Sequence, residues 1–165
     1  MMLRRGTGGH YVNGVVARFP RAGVSLRDAE TFARAGSLTT PDLATADLAI
    51  RNVYFAEVAG NVFQAGGGST TQNAFDLVGN ALTGGSVAAA TLVNALPAQG
   101  AAPSGVSAFD WTPATGSSIA TGGLAAFTGK LATRAGSTVI GTTYVGAAAP
   151  GGAKWWTGWT TYARN

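Results

Sequence analysis

The sequence predicts a mainly β chain built as coils of a β-solenoid, with short helical insertions and an aromatic-rich closing region. Three observations carry this. Charged residues are only 11% of the 165, while Gly supplies 25 positions; an ordinary soluble domain is about 25% charged. Short β-branched runs are punctuated by Asn and Gly, the pattern of brief strands and tight turns. Finally, "VNGVVARFPRAGVSL" (12–26) and "RNVYFAEVAGNVF" (51–63) share one order. Each runs Asn, β-branched residues, a charged residue, a Gly-containing turn and a second short strand. Two copies of one unit, with an insertion between them, suit a solenoid.

In chain order, "HYVNGVVAR" (10–18) and "GVSLRD" (23–28) predict short strands. "RDAETFARAG" predicts one or two helical turns, with Asp28 as N-cap, Glu30 in the first turn and Gly36 as the stop. "LTTPDLATAD" is a loop, and 48–64 is the strongest β segment. "GGGST" (66–70) is a break. "TTQNAFDLVGNAL" has helical spacing in Phe75, Val78 and Leu82, weakened by Gly79 at about 1 kcal/mol relative to Ala. "SVAAATLVNALPAQ" reads either way, and 100–118 is loop-like. "STVIGTTYVGA" gives a last β signal around Val139, Ile140, Tyr144 and Val145. The chain divides into coils with an insertion (1–65), a Gly/Ala-rich linker (66–108) and a closing region (109–165), treated as one domain.

Composition excludes several chemistries. The net charge is +4, but the eleven basic residues are scattered and only Arg4 and Arg5 adjoin. A nucleic-acid surface needs a clustered basic stripe, so no nucleic-acid partner is expected. Cysteine is absent, which removes disulfides, thiolate metal sites and Cys nucleophiles. No apolar stretch follows the opening arginines as in a signal peptide, and no apolar run reaches the length of a spanning helix. "GTGGHY" and "GLAAFTGK" fail the spacing of phosphate loops and read as turns. His10 is the only histidine, which excludes a histidine-rich zinc site, and no Gly-x-Ser-x-Gly nucleophile elbow is present to use it in a triad. The acids Asp28, Glu30, Asp42, Asp47, Glu57, Asp76 and Asp110 form no calcium pattern. No catalytic residue, metal or cofactor is expected.

The aromatic residues leave two readings. Trp155, Trp156, Trp159 and Tyr162 could stack on sugar rings. Alternatively these large rings bury against the small-residue body and seal the fold, each removing roughly 150 to 250 Å² from water. The sealing role is favoured, with Trp156 or Trp159 buried.

Three stretches carry a family resemblance: "FDWTPATGSS" (109–118), "TTYVGAAAPGGAKWWTGWTTY" (142–162) and the opening "GTGGHYVNGVVARFPRAGVSLRD" (6–28). They resemble the C-terminal region of bacterial secreted or surface proteins built as right-handed parallel β-helices. Ser118 replaces a common proline, and Ala147-Ala148 a common aromatic. The resemblance implies the end coils of such a helix, an extracellular or cell-surface location in a longer parent, and a strand edge open at the N-terminal side. Such an edge pairs with another chain.

The expected function is therefore non-enzymatic: an exported surface or structural module that associates with itself, or with the rest of a longer parent, through its open edge. A low-charge surface also favours self-association. The first alternative is a carbohydrate-binding module using the tryptophan cluster. The second is the remnant of a polysaccharide-active enzyme, for which Asp28, Glu30 and Glu57 are the available acids.

Overall fold

A computed structural model describes residues 1–36, 42, 44–59, 61–65, 81–82, 87–98 and 109–158. Seven short strands lie in its first 65 residues: β1 (Met2–Leu3), β2 (Gly9–Val12), β3 (Val15–Ala17), β4 (Ala22–Leu26), β5 (Leu48–Arg51), β6 (Tyr54–Ala56) and β7 (Asn61–Ala65). Helix α1 (Ala29–Ala35) separates β4 from β5. Later come β8 (Ala81–Leu82), β9 (Val93–Ala95), β10 (Asp110–Pro113) and helix α2 (Gly129–Ala135), with 3-10 turns at Ala89–Thr91 and Ser118–Ala120.

The strands pair in parallel as β1-β4-β7, β2-β5 and β3-β6-β8, while β9 and β10 pair antiparallel. The two sequence copies lie side by side: Val12 faces Arg51, Val15 faces Tyr54 and Ala22 faces Asn61, always 39 residues on. Asn13 and Asn52 break the strands at equivalent points, with φ of 54° and 52°. Asn is among the few residues that tolerate this left-handed conformation. Arg18 and Glu57 repeat the device at the next corner, with φ of 61° and 49°.

Period-two alternation gives these sheets two apolar faces. Leu48, Ile50 and Phe55 join Val24, Leu26, Val58 and Phe63 in the main core, where the Phe55 and Phe63 rings lie 5.2 Å apart. Tyr54 and Ala56, on the opposite face of β6, pack against Ala89, Leu92, Ile119 and Val145. Ala49 of β5 meets Leu131 of α2, with Val12, Leu124 and Phe127 around them. The C-terminal half thus covers the outer faces of β5 and β6, as parallel strands require.

Helix α1 forms where expected. Asp28 caps it by accepting the Thr31 N–H at 2.9 Å, and Gly36 closes it at φ 71°. Helix α2 was not expected; its first two residues, Gly129 and Lys130, belong to the glycine-containing stretch 123–130 that reads as a turn. At Gly129, φ is 56° and a Cβ would lie 2.3 Å from the Ala44 Cα, so glycine alone fits this approach.

Two expectations are corrected. The right-handed parallel β-helix does not form. The described sheets hold two or three strands, none closes, one is antiparallel, and two small helices lie among them: a small mixed α/β domain. Its strands have no constant period. The separation of 39 residues joins only two copies, whereas Met2 pairs with Ser25 and Tyr54 with Ala81. A solenoid needs a repeating unit on which its neighbours stack.

The β signal at 137–147 is also not a strand. Its apolar residues divide between environments: Val145 is buried, while Val139 and Ile140 are exposed. The main chain there makes separate bonds, Gly123 N–H to Thr143 O at 3.0 Å and Val145 N–H to Ile119 O at 2.9 Å. Of the helix expected over 70–82, only Ala81–Leu82 is described, and it is strand β8; the remainder lies outside the described residues. The ambiguous 86–99 stretch holds a 3-10 turn and β9.

Candidate functional site

The N-terminal strands β1, β2 and β3 are outermost or at the margin of their sheets. In β3, Gly14 accepts the Tyr54 N–H and Arg18 donates to Ala56 O, so the main-chain groups of Gly14, Val16 and Arg18 turn towards β6. Those of Val15 and Ala17 turn the other way. In β2, Gly9 and Asn13 donate to Asp47 and Arg51, leaving the main-chain groups of His10 and Val12 on the far side. In β1, Met1 and Leu3 accept from Ser25 and Arg27, and Met2 faces outward. Among the described residues, one margin of the molecule therefore presents unpaired strand edge at five residues.

Beside β3 lies an apolar cavity of about 430 Å³, walled by Val15, Ala17, Leu92, Leu96, Trp111 and Ile119 among others. Two corner devices frame it. Asn13 donates through Nδ2 to Thr142 Oγ1 at 3.1 Å and accepts the Leu124 N–H at 2.6 Å; its counterpart Asn52 donates to Gly122 O at 2.8 Å. At the other corner, Arg18 pairs with Glu57 at 2.8 Å. Arg18 Nη1 also donates to Pro97 O, and Glu57 Oε1 accepts the Ala89 N–H at 2.7 Å. Of these four residues the sequence singled out only Glu57, as an available acid of an enzyme remnant, and not in this pairing role. The signal was their recurrence at matching places in the two copies.

The aromatic cluster does not form a flat platform among the described residues. Trp156 is only 1% exposed, and its ring centroid lies 4.9 Å from that of Trp111. Trp155 is 48% exposed, stands at 84° to Trp156 and donates through Nε1 to Ala147 O at 2.9 Å. Lys154 reaches Asp110 at 2.8 Å, joining the tail to β10 beside the packed rings. Burial pushes the Asp110 carboxyl upward, but Lys154 and Thr112 outweigh it and hold it below its ordinary value. Trp159 and Tyr162 lie outside the described residues.

The carboxylates proposed for catalysis are not gathered into a site. Asp28 accepts main-chain N–H groups from Arg5 and Thr31, and these with the Thr31 hydroxyl hold it at about 2. Glu30 stands in the first turn of α1, and Glu57 is committed to Arg18 and Ala89. A separate cluster centres on Asp47, which meets Lys130 at 2.9 Å, Arg134 at 2.5 Å and Arg34 at 3.7 Å. The Lys130 hydrogen bond leads in holding its carboxyl below the usual range. Nearby His10 is lowered by burial first and by Arg134 second.

Among the described residues, no group of three or more His, Cys, Asp or Glu could hold a metal ion, and no helix is long and apolar enough to cross a membrane. No family model, curated protein or solved structure matches the chain.

Proposed function

We propose that the protein is a non-catalytic structural module that associates with itself through its N-terminal strand edge, in an extracellular or cell-surface setting. The observation that carries this reading is the outward row of main-chain groups at Met2, His10, Val12, Val15 and Ala17. Unpaired strand edges are templates for another chain unless charge, proline or a covering element blunts them. The side chains here give little such protection: Met2 is exposed and apolar, and Val12, Val15 and Ala17 are partly so. The low charge of the whole chain supports the same reading.

Sedimentation velocity over a concentration series tests it. The native chain should associate as concentration rises. Val12→Pro should weaken association at least tenfold, because it removes an outward N–H that β5 does not use. A strict monomer throughout the series overturns the proposal. A glycan-binding reading has one observation in its favour, the half-exposed ring of Trp155. Oligosaccharide that protects this ring from a fluorescence quencher would favour that reading instead.

A further inference from the structure

We propose that the cavity beside β3 is a binding site for a small, uncharged amide carrying apolar substituents. Its volume of about 430 Å³ falls within the range of small-molecule sites, roughly 300 to 1,000 Å³. Leu92 and Leu96, the Trp111 ring and Ile119 supply apolar walls from three separate segments, and Val15 and Ala17 supply the β3 side. Such walls reward an apolar ligand by removing its surface from water.

The polar features narrow the class. Among the described residues no charged side chain lines the cavity, and a desolvated charge without a partner is strongly disfavoured. The lining side chain able to hydrogen-bond most fully, Asn13, is already committed to Leu124 and Thr142. A sugar would lose water from several hydroxyls and meet few replacements. What remains is the β3 edge, where Val15 and Ala17 each offer one N–H and one C=O away from β6. A secondary amide carries one donor and one acceptor of its own. It can pair with that edge as an added strand would, while its substituents enter the apolar space. Trp111 in the wall, tilted at 40° against Trp156, provides a spectroscopic reporter.

The test uses N-acetyl-leucine methylamide as probe, with N-acetyl-leucine carboxylate and cellobiose as comparisons. Binding is read by thermal shift and by amide and indole NMR signals. The neutral amide should raise the melting temperature and move the signals of Val15, Ala17 and the Trp111 indole. The carboxylate should bind at least tenfold more weakly, and cellobiose should move none of these signals. Ala17→Leu, which fills the cavity, should abolish the response. Ala147→Leu, at an exposed position of the lining, should weaken it and serves if Ala17→Leu does not fold. Absence of the response in the native chain, equal binding of the carboxylate, or unchanged binding in a folded filling variant overturns the proposal. A partner chain would occupy the same Val15 and Ala17 groups, so the response is read at concentrations where the chain is monomeric, and it should persist in Val12→Pro, which separates this site from self-association.

Discussion

Arg18 and Glu57 occupy equivalent corners of the two sequence copies and pair at 2.8 Å, each in the left-handed region of backbone space. The pair does more than join β3 to β6. Glu57 also holds the Ala89 N–H, and Arg18 the Pro97 carbonyl, so it ties both ends of the 89–97 segment to the parallel strands. Glu57→Ala leaves a cation and a main-chain donor without their acceptor. It should destabilise the fold by about 2 kcal/mol, since hydrogen bonds involving charged groups contribute roughly 1.5 to 3 kcal/mol. Urea denaturation of the two single Ala variants and the double variant should show a coupling that shrinks as salt is added.

Asn13 is the matching device at the first corner. Asn13→Ala loses four side-chain bonds to Leu124 and Thr142 and places a Cβ-bearing residue without polar help at φ 54°. The backbone term alone is about 1 to 2 kcal/mol, so a total loss of about 3 kcal/mol is expected. Asn13→Gly should recover the backbone part only. Equal losses in the two variants, measured by chemical denaturation, would show that the φ angle is unimportant here.

Much of the local structure was legible. The Asn13/Asn52 and Arg18/Glu57 repeats marked the corners, the β-branched runs marked strands, and Asp28 with Gly36 bounded α1. The global fold was misread because two copies with an insertion resemble a longer array, whereas the pairings of β1 and β8 break the period. Helix α2 was hidden because its apolar contact rests mainly on Leu131, while Lys130 and Arg134 turn to Asp47 across more than 80 residues. The cavity depends on five separated segments, so no local pattern reports it. Conversely, Val139, Ile140 and Val145 gave a β signal that had no neighbouring strand to satisfy it.

The Asp28 carboxyl falls from the ordinary 3.8 to about 2 in the folded chain. A depressed carboxylate stabilises the fold where it is ionised in both states, above the unfolded value. That contribution is lost as pH falls from about 4 towards 2. Native stability should therefore decline over this window, and Asp28→Asn should flatten the decline. Denaturation midpoints at half-unit pH steps check this; an unchanged slope in the variant would remove Asp28 as a source of acid sensitivity.

Gly123 and its surroundings set a steric limit. A Cβ at Gly123 would lie 2.3 Å from the carbonyl oxygens of Thr142 and Tyr144. These are main-chain atoms, so a side-chain rotation cannot relieve the clash. Gly123→Ala should destabilise by about 1 to 3 kcal/mol, the range for overpacking a filled site. Thermal unfolding of the variant beside Gly116→Ala, where nothing lies within 4 Å, tests packing, although positive φ at Gly116 gives the control a strain of its own.

Adjacent tryptophans have opposite roles. Trp156 is 1% exposed against Trp111, whereas Trp155 is 48% exposed and retains one indole bond to Ala147. Trp156→Ala should therefore destabilise by about 3 to 5 kcal/mol, the usual loss for a buried large ring. Trp155→Ala should cost about 1 kcal/mol, mainly through its hydrogen bond. Acrylamide quenching provides the second readout: replacing Trp155 by Phe should remove an accessible component, while replacing Trp156 by Phe should leave it. If both alanine variants lose the same stability, Trp156 does not seal the junction of β10 with the tail.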